Sequence, residues 1–514
     1  MTAHEQTWDY IIVGGGAAGC VLAARLTEDS DTTVLLIEAG PDYGKRREDW
    51  PAEVLDPSYL WEESHPWSYH NAPGPTGYQV HLPRGKVLGG SSAINACVWL
   101  RGSAADYDGW ASWGNSGWGF DELLPAFKRA ESDPLAAEND LHGSDGPVPV
   151  ERVPDDQMTT LERATFDTAD ELGFDRIPDM NGDRAQHPGV GQPPRNVAEG
   201  VRMSGAFTYL QPARARPNLT VMTDTLTDRV LFAGRRAIGV RTADGREIRG
   251  REVILSAGAY SSPAILMRSG IGPSDHLREM GIEVRHELPG VGDHLMDHPA
   301  ARGVNRFYVM RDEDAPGDPE TIIFARPVIF ARSNQIDEEI DLHLYPIQIY
   351  SEDLGKWVYR LTPSLQWSRS KGRVRLTSPD PEATLDIDHN YLREPADLEA
   401  LCDGVELSAR LTETPPLSTR LETVPGHKFD WQNRDELRQF VQQRAVTSYH
   451  PSSTCRMGPE DYPGAVVDQQ GLVHGLGGLR VVDASIFPWG PRCNLHFPTI
   501  AAAEHIAAMI RQEE

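Results

Sequence analysis

The chain has 514 residues, 39% hydrophobic and 24% charged, with a formal net charge of −27. That length and composition predict a globular protein of two or more domains with ample core. The charge argues against nucleic acid or an anionic membrane as partner, since like charges repel, and no apolar run approaches the ~20 residues of a membrane span.

The opening MTAHEQTWDY lacks a basic stretch followed by an apolar one, so no signal peptide is expected. Five scattered cysteines without a CxxC pair predict neither a disulfide framework nor a structural zinc site, and fit a reducing cytoplasm. The first element is an apolar run at 10–13, with the length and β-branching of a buried parallel strand. Gly14, Gly16 and Gly19 follow as G-x-G-x-x-G, then small apolar residues that open a helix. A second apolar run at 34–37 ends on Glu38, nineteen residues beyond Gly19. In such a βαβ unit the first glycine allows the tight turn, the second lets the backbone approach a pyrophosphate, and the third lets helix and sheet pack closely. The helix N-terminus favours phosphate, and Glu38 is placed to accept from ribose hydroxyls. The motif predicts an adenine dinucleotide without choosing NAD or FAD.

Residues 41–79 are rich in Pro, aromatics and acids without a period, and read as an irregular excursion. Gly89, Gly90, Ser91 and Ser92 then form a small-residue turn suited either to tight helix entry or to backbone approach to a planar or anionic ligand. Residues 93–100 read as a buried helix entered from it. Further on, 123–129 and 158–172 read as helices and 146–153 as a short strand. Residues 182–205 read as loop, 219–242 as strands, and 251–257 as a strand running into a helix with Pro263 near its first turn. The spacing D-H-x-x-D-H at 293–298 resembles metal-ligand spacing, but the flanking turn residues favour a structural turn. From 301 to 420 strand-like runs (TIIFARPVIFAR, EIDLHLYPIQIY, GRVRLTS, ATLDIDHNYL) predict an antiparallel sheet with one covered face. Residues 398–411 and 435–444 read as helices.

The C-terminal stretch carries the chemistry. In TSYHPSSTCRMG, His450 precedes a proline on a loop. In CNLHFPTIAAAEHIAAMI, His496 lies two residues before Pro498, and a helix starting at that proline leaves His496 just outside an N-terminus that stabilises negative charge, such as that of a reduced flavin. Residues 481–483 read as a strand ending in Asp483. His294, His298, His474 and His505 read as structural, Glu504 as solvated, and Cys455 and Cys493 as packing residues.

Taken together, 14–19 with Glu38, 86–102, 258–272, 291–299, 449–458 and 483–500 resemble the glucose-methanol-choline (GMC) oxidoreductases over nearly the whole chain, most of all the bacterial choline-dehydrogenase-like branch. The resemblance implies an α/β fold, with a Rossmann-like FAD-binding domain (1–155, 200–300, 440–514) and an α+β substrate domain built on an antiparallel sheet (156–199, 301–439). It implies cofactor contacts from Gly14, Gly16, Gly19, Glu38, Ala39, Gly89, Gly90, Ser91, Asn95, Ala96, Val98, Val230, Ala257, Asp483, Ala484, His496, Pro498 and Thr499. It also implies His450 and His496 as the catalytic pair beside the flavin, with His450 as base for hydride transfer from an alcohol to flavin N5. Some members tether FAD through a histidine after the glycine-serine turn; Ile94 stands there, so FAD is expected to be non-covalent. Choline-acting members carry asparagine where His496 stands, and the His/His pair resembles the sugar, methanol and aryl-alcohol branches instead; Asn494 is expected to point elsewhere. The expected substrate is a primary alcohol (aryl, furanic or aliphatic) or a sugar or glycoside hydroxyl, with oxygen or another acceptor reoxidising the flavin. Tyr449, Phe497, Trp367 and Tyr345 are expected at the substrate, with Trp61, Trp67 and Trp357 as further aromatic candidates. The alternatives are a non-redox lyase of the hydroxynitrile type on the same scaffold and a protein holding FAD structurally.

Overall fold

A computed structural model describes residues 7–513 except 61–63, 73–78, 184–185, 302–307, 317–321, 338 and 425–429. Trp61 and Thr321 lie outside the described residues. Two large sheets organise the rest. The first has seven strands. β1 (Thr7–Val13) lies between β2 (Val34–Ile37) and Glu247–Leu255, parallel to both. Leu219–Met222 extends the parallel side beyond β2, and Leu479–Val481 pairs parallel with Glu247–Leu255. Arg236–Thr242 and Thr227–Ala233 continue as antiparallel strands. Burial on both faces explains the uninterrupted apolar runs of β1 and β2. The registers Val13↔Ile37, Val13↔Leu255 and Leu255↔Val481 align the strand ends at one edge.

Helices begin at that edge. α1 (Ala17–Leu26) follows β1, Gly258–Arg268 follows Leu255, and His496–Glu513 packs against α1. Between these two helices Glu504 is buried, not solvated as its sequence position suggested. Its carboxylate takes Arg25 Nε and Nη2 at 3.0 and 2.8 Å and the Tyr209 hydroxyl at 2.8 Å. Pro263 sits inside its helix, deeper than the first turn. The Ala259 carbonyl that its missing N–H would leave open accepts the Thr454 hydroxyl instead, at 2.6 Å.

The second sheet has ten strands centred on the hairpin Leu342–Ser351/Lys356–Leu365, with Val328–Ala331, Gly189–Gly191, Tyr308–Met310 and Leu421–Thr423 outward from it. Helices Thr160–Glu171 and Pro395–Glu413 cover one face over a core that includes Leu344, Tyr359, Leu361, Leu401 and Leu411. Pro299–Ala301 joins the hairpin to Ala445–Thr447, with Pro299 opposite Thr447.

Three expectations change. Residues 93–100 form no helix: a 3-10 turn, Gly90–Ala93, gives way to irregular chain. Asn95 Oδ1 accepts the Cys97 N–H, Cys97 adopts a φ of 60°, and Trp99 N donates to Pro194 O, so local side-chain and cross-chain bonds replace the helical ones. The strand expected at 146–153 is reduced to Val148–Pro149. Gly372–Leu376 and Leu385–Asp388 leave the large sheet and pair in a separate three-stranded one with Asp293–Leu295. No helix among the described residues is long and apolar enough to cross a membrane.

Candidate active site

The glycines after β1 divide their work. Gly14 has a φ of 103°, and a Cβ there would stand 2.5 Å from Ser256 O. A Cβ at Gly19 would stand 1.9 Å from Gly14 O, so this glycine lets α1 sit down on the turn. A Cβ at Gly16 would meet nothing within 4 Å. It faces a cavity of about 750 Å³ that runs from the ends of the parallel strands to His450.

Three helix N-termini, those of α1, Gly258–Arg268 and His496–Glu513, supply residues to this cavity. The partial positive charge of a helix N-terminus suits an anionic ligand, although at Gly258–Arg268 the first N–H is already taken by Asp483. Glu38 is buried, its oxygens taking the Gly15 and Gly40 N–H groups at 2.8 Å each, and burial raises its carboxyl to about 7. Asp483 also ties the strand ends together, accepting from Gly258 N at 2.8 Å and Ser262 Oγ at 2.6 Å.

Of the residues expected at the cofactor, Gly14, Gly16, Glu38, Ala39, Gly90, Ser91, Asn95, Ala96, Val98, Ala257, Asp483, Ala484, His496 and Thr499 line the cavity, together with His450 and Tyr449. Gly19, Gly89, Val230 and Pro498 are not on its wall. The Val230 N–H is taken by Ser269 Oγ, and the cavity instead meets 224–227, just before that strand position. The last helix starts at His496, two residues before the expected proline.

At the far end, His450 N donates to Asp297 Oδ1 at 2.9 Å, and Tyr391 closes Oδ2 at 2.5 Å. The preceding Tyr449 holds a φ of 68°, outside the usual range for a side-chain-bearing residue. Thr447 Oγ1 takes its N–H at 2.6 Å and Arg84 Nη2 donates to its carbonyl at 2.8 Å, so the bend is held from both sides. The His450 ring is engaged at both nitrogens: Nδ1 lies 2.9 Å from His298 Nδ1, and Asn494 Nδ2 donates to Nε2 at 3.2 Å. Burial pushes His450 well below the ordinary imidazole range, helped by His298 and Arg84; burial also brings His298 and His496 to about 4. All three are neutral at pH 7. Both ring nitrogens of His496 lack a partner among the described residues, and the ring stands edge-on to Trp99 at 5.2 Å.

Two expectations are corrected here. Asn494 does not point elsewhere; it is the side chain that contacts His450. His298 is not merely structural; it meets the same ring from behind. The D-H-x-x-D-H spacing does not converge on a metal: Asp293 pairs with Arg375, His294 with Arg456, Asp297 holds His450 N, and His298 holds its ring. That spacing beside a strand entering the seam with 445–447 was the available signal. His294, His474 and His505 do have structural partners (Arg456, Gly458 O and the Trp118 ring). Cys455 and Cys493 are fully buried, with thiols pushed up by burial.

Among the aromatics, Tyr449 and Trp67 line the cavity, and so does Phe324, which sequence reasoning did not single out. Phe497 stacks on Trp99 at 4.1 Å in the core, because consecutive helical side chains diverge by about 100° and its neighbour His496 takes the cavity side. Trp357 packs beside Tyr350 in the second sheet. Trp367 lies under Arg492, 4.3 Å from its ring centre. Tyr345 stands behind the wall, its hydroxyl donating to Asn494 Oδ1 at 3.2 Å.

A dinucleotide flavin fits these residues. The Gly16 face is open, three helix N-termini meet the cavity, and the partnerless His496 nitrogens stand at its wall near His450. Neutral imidazole at the far end can accept a proton there. The family model of GMC oxidoreductase matches residues 8–300 with its N-terminal part and 368–503 with its C-terminal part. The chain is 39% identical to an oxygen-dependent choline dehydrogenase of Paraburkholderia xenovorans, over 100% of this chain and 96% of that one, and 40% identical to one of Chromohalobacter salexigens, over 100% and 96%. It superposes on pyridoxine 4-oxidase from Mesorbium loti with a TM-score of 0.87 at 31% identity, covering 99% and 100% of the two chains. On formate oxidase of Aspergillus oryzae the TM-score is 0.86 at 26% identity, covering 99% of each. The chain belongs to the GMC oxidoreductase family and is an FAD-dependent oxidoreductase acting on alcohols.

Proposed function

We propose that this enzyme oxidises an uncharged alcohol, a primary alcohol or a sugar or glycoside hydroxyl, with non-covalent FAD and His450 as base. Glycines 14 and 16, the N-termini of α1 and Gly258–Arg268, and Glu38 would hold the nucleotide end. Ser91, Asn95, His496 and Thr499 would hold the flavin end. FAD, when bound, supplies the acceptor for the hydride leaving the carbinol carbon. His450 takes the hydroxyl proton, and His496 holds the same oxygen from the other side. Base catalysis of this kind is worth about 10²–10⁴-fold.

The observation that carries the substrate class is the distribution of charge. Glu38, Asp224, Glu382 and Asp483 are the acids on the cavity wall. Glu38 and Asp483 are committed to strand-end N–H groups, Asp224 follows the strand 219–222 with its N–H on Gly40 O, and Glu382 lies on the hairpin turn after Gly372–Leu376. Tyr449, Pro451 and Asn494, around His450, bring no carboxylate, and Arg84 beside them is cationic. Asp297, the acid at the His450 backbone, is spent on that N–H and the Tyr391 hydroxyl, so among the described residues a quaternary ammonium would find no free counter-charge there. Non-covalent FAD is supported by Ile94, which lines the cavity and offers no nucleophile. A division into 1–155, 200–300 and 440–514 against 156–199 and 301–439 is supported by the seven-stranded mixed sheet, whose strands all come from the first set, although Pro299–Ala301 and Ala445–Thr447 pair with the second sheet.

The test is anaerobic mixing of the holoenzyme with choline, benzyl-type alcohols, hexoses and glycosides. A neutral alcohol is expected to bleach the flavin, and His450→Ala to slow that bleaching by about 10²–10⁴-fold. Rapid reduction by choline with none by neutral alcohols overturns the substrate class; no reduction by any alcohol favours the lyase chemistry. Oxygen uptake with the reducing alcohol separates oxidase from dehydrogenase, and acid precipitation is expected to release the yellow cofactor.

A further inference from the structure

The cavity wall beside His450 has two kinds of surface. One is apolar. Ala96, Val98 and Phe324 line the cavity and belong to one apolar cluster with Tyr345 and Cys493, which stand behind them off the wall. Phe324 is set by a short strand pairing, Phe324 with Ile347 and Ile323 with Gln348, and its ring lies on Tyr345 at 5.5 Å, 11° from parallel. Tyr345 donates to Asn494, and Asn494 contacts His450, so this apolar floor is tied to the base through two hydrogen bonds. Pro451 and Leu495, next to His450 and Asn494 in the chain, add apolar surface to the same wall.

The other surface is polar but already in use. Ser448 Oγ is bonded to Ser364 Oγ at 2.6 Å, and Thr499 Oγ1 donates to Leu495 O at 2.6 Å. Both ends of the Asn494 amide are taken, by His450 and by Tyr345. Arg84 donates to Pro83 O at 2.6 Å and to Tyr449 O at 2.8 Å. A substrate with several hydroxyls would have to compete with these bonds or bury its own groups unpaired. Each hydroxyl buried without a partner weakens binding about 5- to 150-fold. A substrate with one hydroxyl avoids that loss. Its hydroxyl goes to His450 and to His496, whose two nitrogens have no partner among the described residues, and the rest of the molecule is stabilised by burial on the apolar floor.

We propose that the substrate carries its single hydroxyl on a flat aromatic ring, benzenoid or furanic, that packs on Phe324, and that Phe324 sets the preference for such alcohols over sugars and glycosides. The inference deepens the reading of an uncharged alcohol and rests on it. Aromatic rings in offset or edge-to-face contact gain more than their buried area alone, so the floor favours an aromatic ring over a saturated one of the same size. Phe324→Ala removes the ring altogether. Phe324→Leu keeps apolar bulk over Tyr345 and removes only the aromatic surface.

The test mixes the holoenzyme anaerobically with benzyl alcohol, cyclohexylmethanol, glucose and methyl glucoside, and reads the concentration that half-saturates flavin reduction. Benzyl alcohol is expected to half-saturate at the lowest concentration, about 2- to 10-fold below cyclohexylmethanol, with both sugars far weaker. Phe324→Ala is expected to raise the benzyl alcohol value about 10- to 100-fold with the bound-FAD spectrum kept. Phe324→Leu is expected to leave cyclohexylmethanol unchanged and to erase the advantage of benzyl alcohol, a change in ratio that a merely structural role of Phe324 does not produce. Glucose or the glucoside half-saturating below benzyl alcohol, or a benzyl preference intact in Phe324→Leu, overturns the inference and leaves the alcohol reading standing. Benzyl alcohol that perturbs the flavin spectrum in wild type and not in Phe324→Ala, without reducing the flavin, keeps the ring site and overturns the alcohol reading. Neither perturbation nor reduction overturns both.

Discussion

Gly16→Ala separates the ligand-facing glycine from the structural ones. Gly16 has φ −78° and ψ −163°, a conformation alanine adopts without strain, and the added methyl meets no protein atom within 4 Å. The unliganded protein is therefore expected to fold as well as wild type or better, by up to about 1 kcal/mol from the reduced freedom of the unfolded chain. The methyl instead occupies space on the cavity wall in front of the α1 N-terminus. Displacing an anion there loses one charge-assisted hydrogen bond, about 1.5–3 kcal/mol, so FAD affinity falls about 10- to 100-fold. Gly19→Ala is the contrast: its methyl would lie 1.9 Å from Gly14 O, a backbone atom that cannot move aside. That variant is expected to lose stability before FAD is added. The assay is FAD titration followed by flavin fluorescence, with thermal midpoints of the FAD-free proteins. Gly16→Ala with wild-type FAD affinity, or with a FAD-free midpoint lowered as far as that of Gly19→Ala, refutes the division of roles.

Further outcomes follow from groups away from the cavity. Burial opposes charge on His142, but Asp179 and Glu131 override it and raise its pKa to about 9. A raised folded pKa contributes stability that is fully present below the unfolded value of about 6.5 and is lost as pH rises through 9. The thermal midpoint is therefore expected to fall between pH 7 and 10, and to fall less in His142→Asn. Glu504→Ala leaves Arg25 and the Tyr209 hydroxyl without their partner between two packed helices, and is expected to cost on the order of 3 kcal/mol in denaturant unfolding. Thr454→Val leaves the Ala259 carbonyl at Pro263 unpaired and is expected to cost about 1–3 kcal/mol in the same measurement.

What could be read from the sequence was what the chain decides locally. The strands at 10–13 and 34–37 are buried on both faces, so they stand out as apolar runs, and the glycine turn is contiguous. Periodicity failed at 93–100, because a short buried apolar segment looks the same whether helical or irregular, and the bonds that decided it come from Pro194 and Asn95. Glu504 looked solvated because its partners, Arg25 and Tyr209, are 479 and 295 residues away. Phe497 was within reach of sequence reasoning: if His496 faces the cofactor on a helix, its neighbour cannot.

The surroundings of His450 had no such shortcut. His298 lies 152 residues from it and Asn494 44 residues, and the three meet because Pro299–Ala301 pairs with Ala445–Thr447 while the last helix starts at His496. On the proposed reading, holding the cofactor is the work of local turns and helix starts, whereas aiming the base is the work of strand pairing between distant segments. The two should fail separately. Changes at Gly16 are expected to weaken FAD binding and leave the pairing of 299–301 with 445–447 in place. Changes behind His450, at Tyr345 or Asn494, leave FAD bound and slow its reduction. Among the described residues no hydrogen bond of His298, His450 or Asn494 reaches the Gly14–Gly16 turn, so the two ends of the cavity can be altered one at a time.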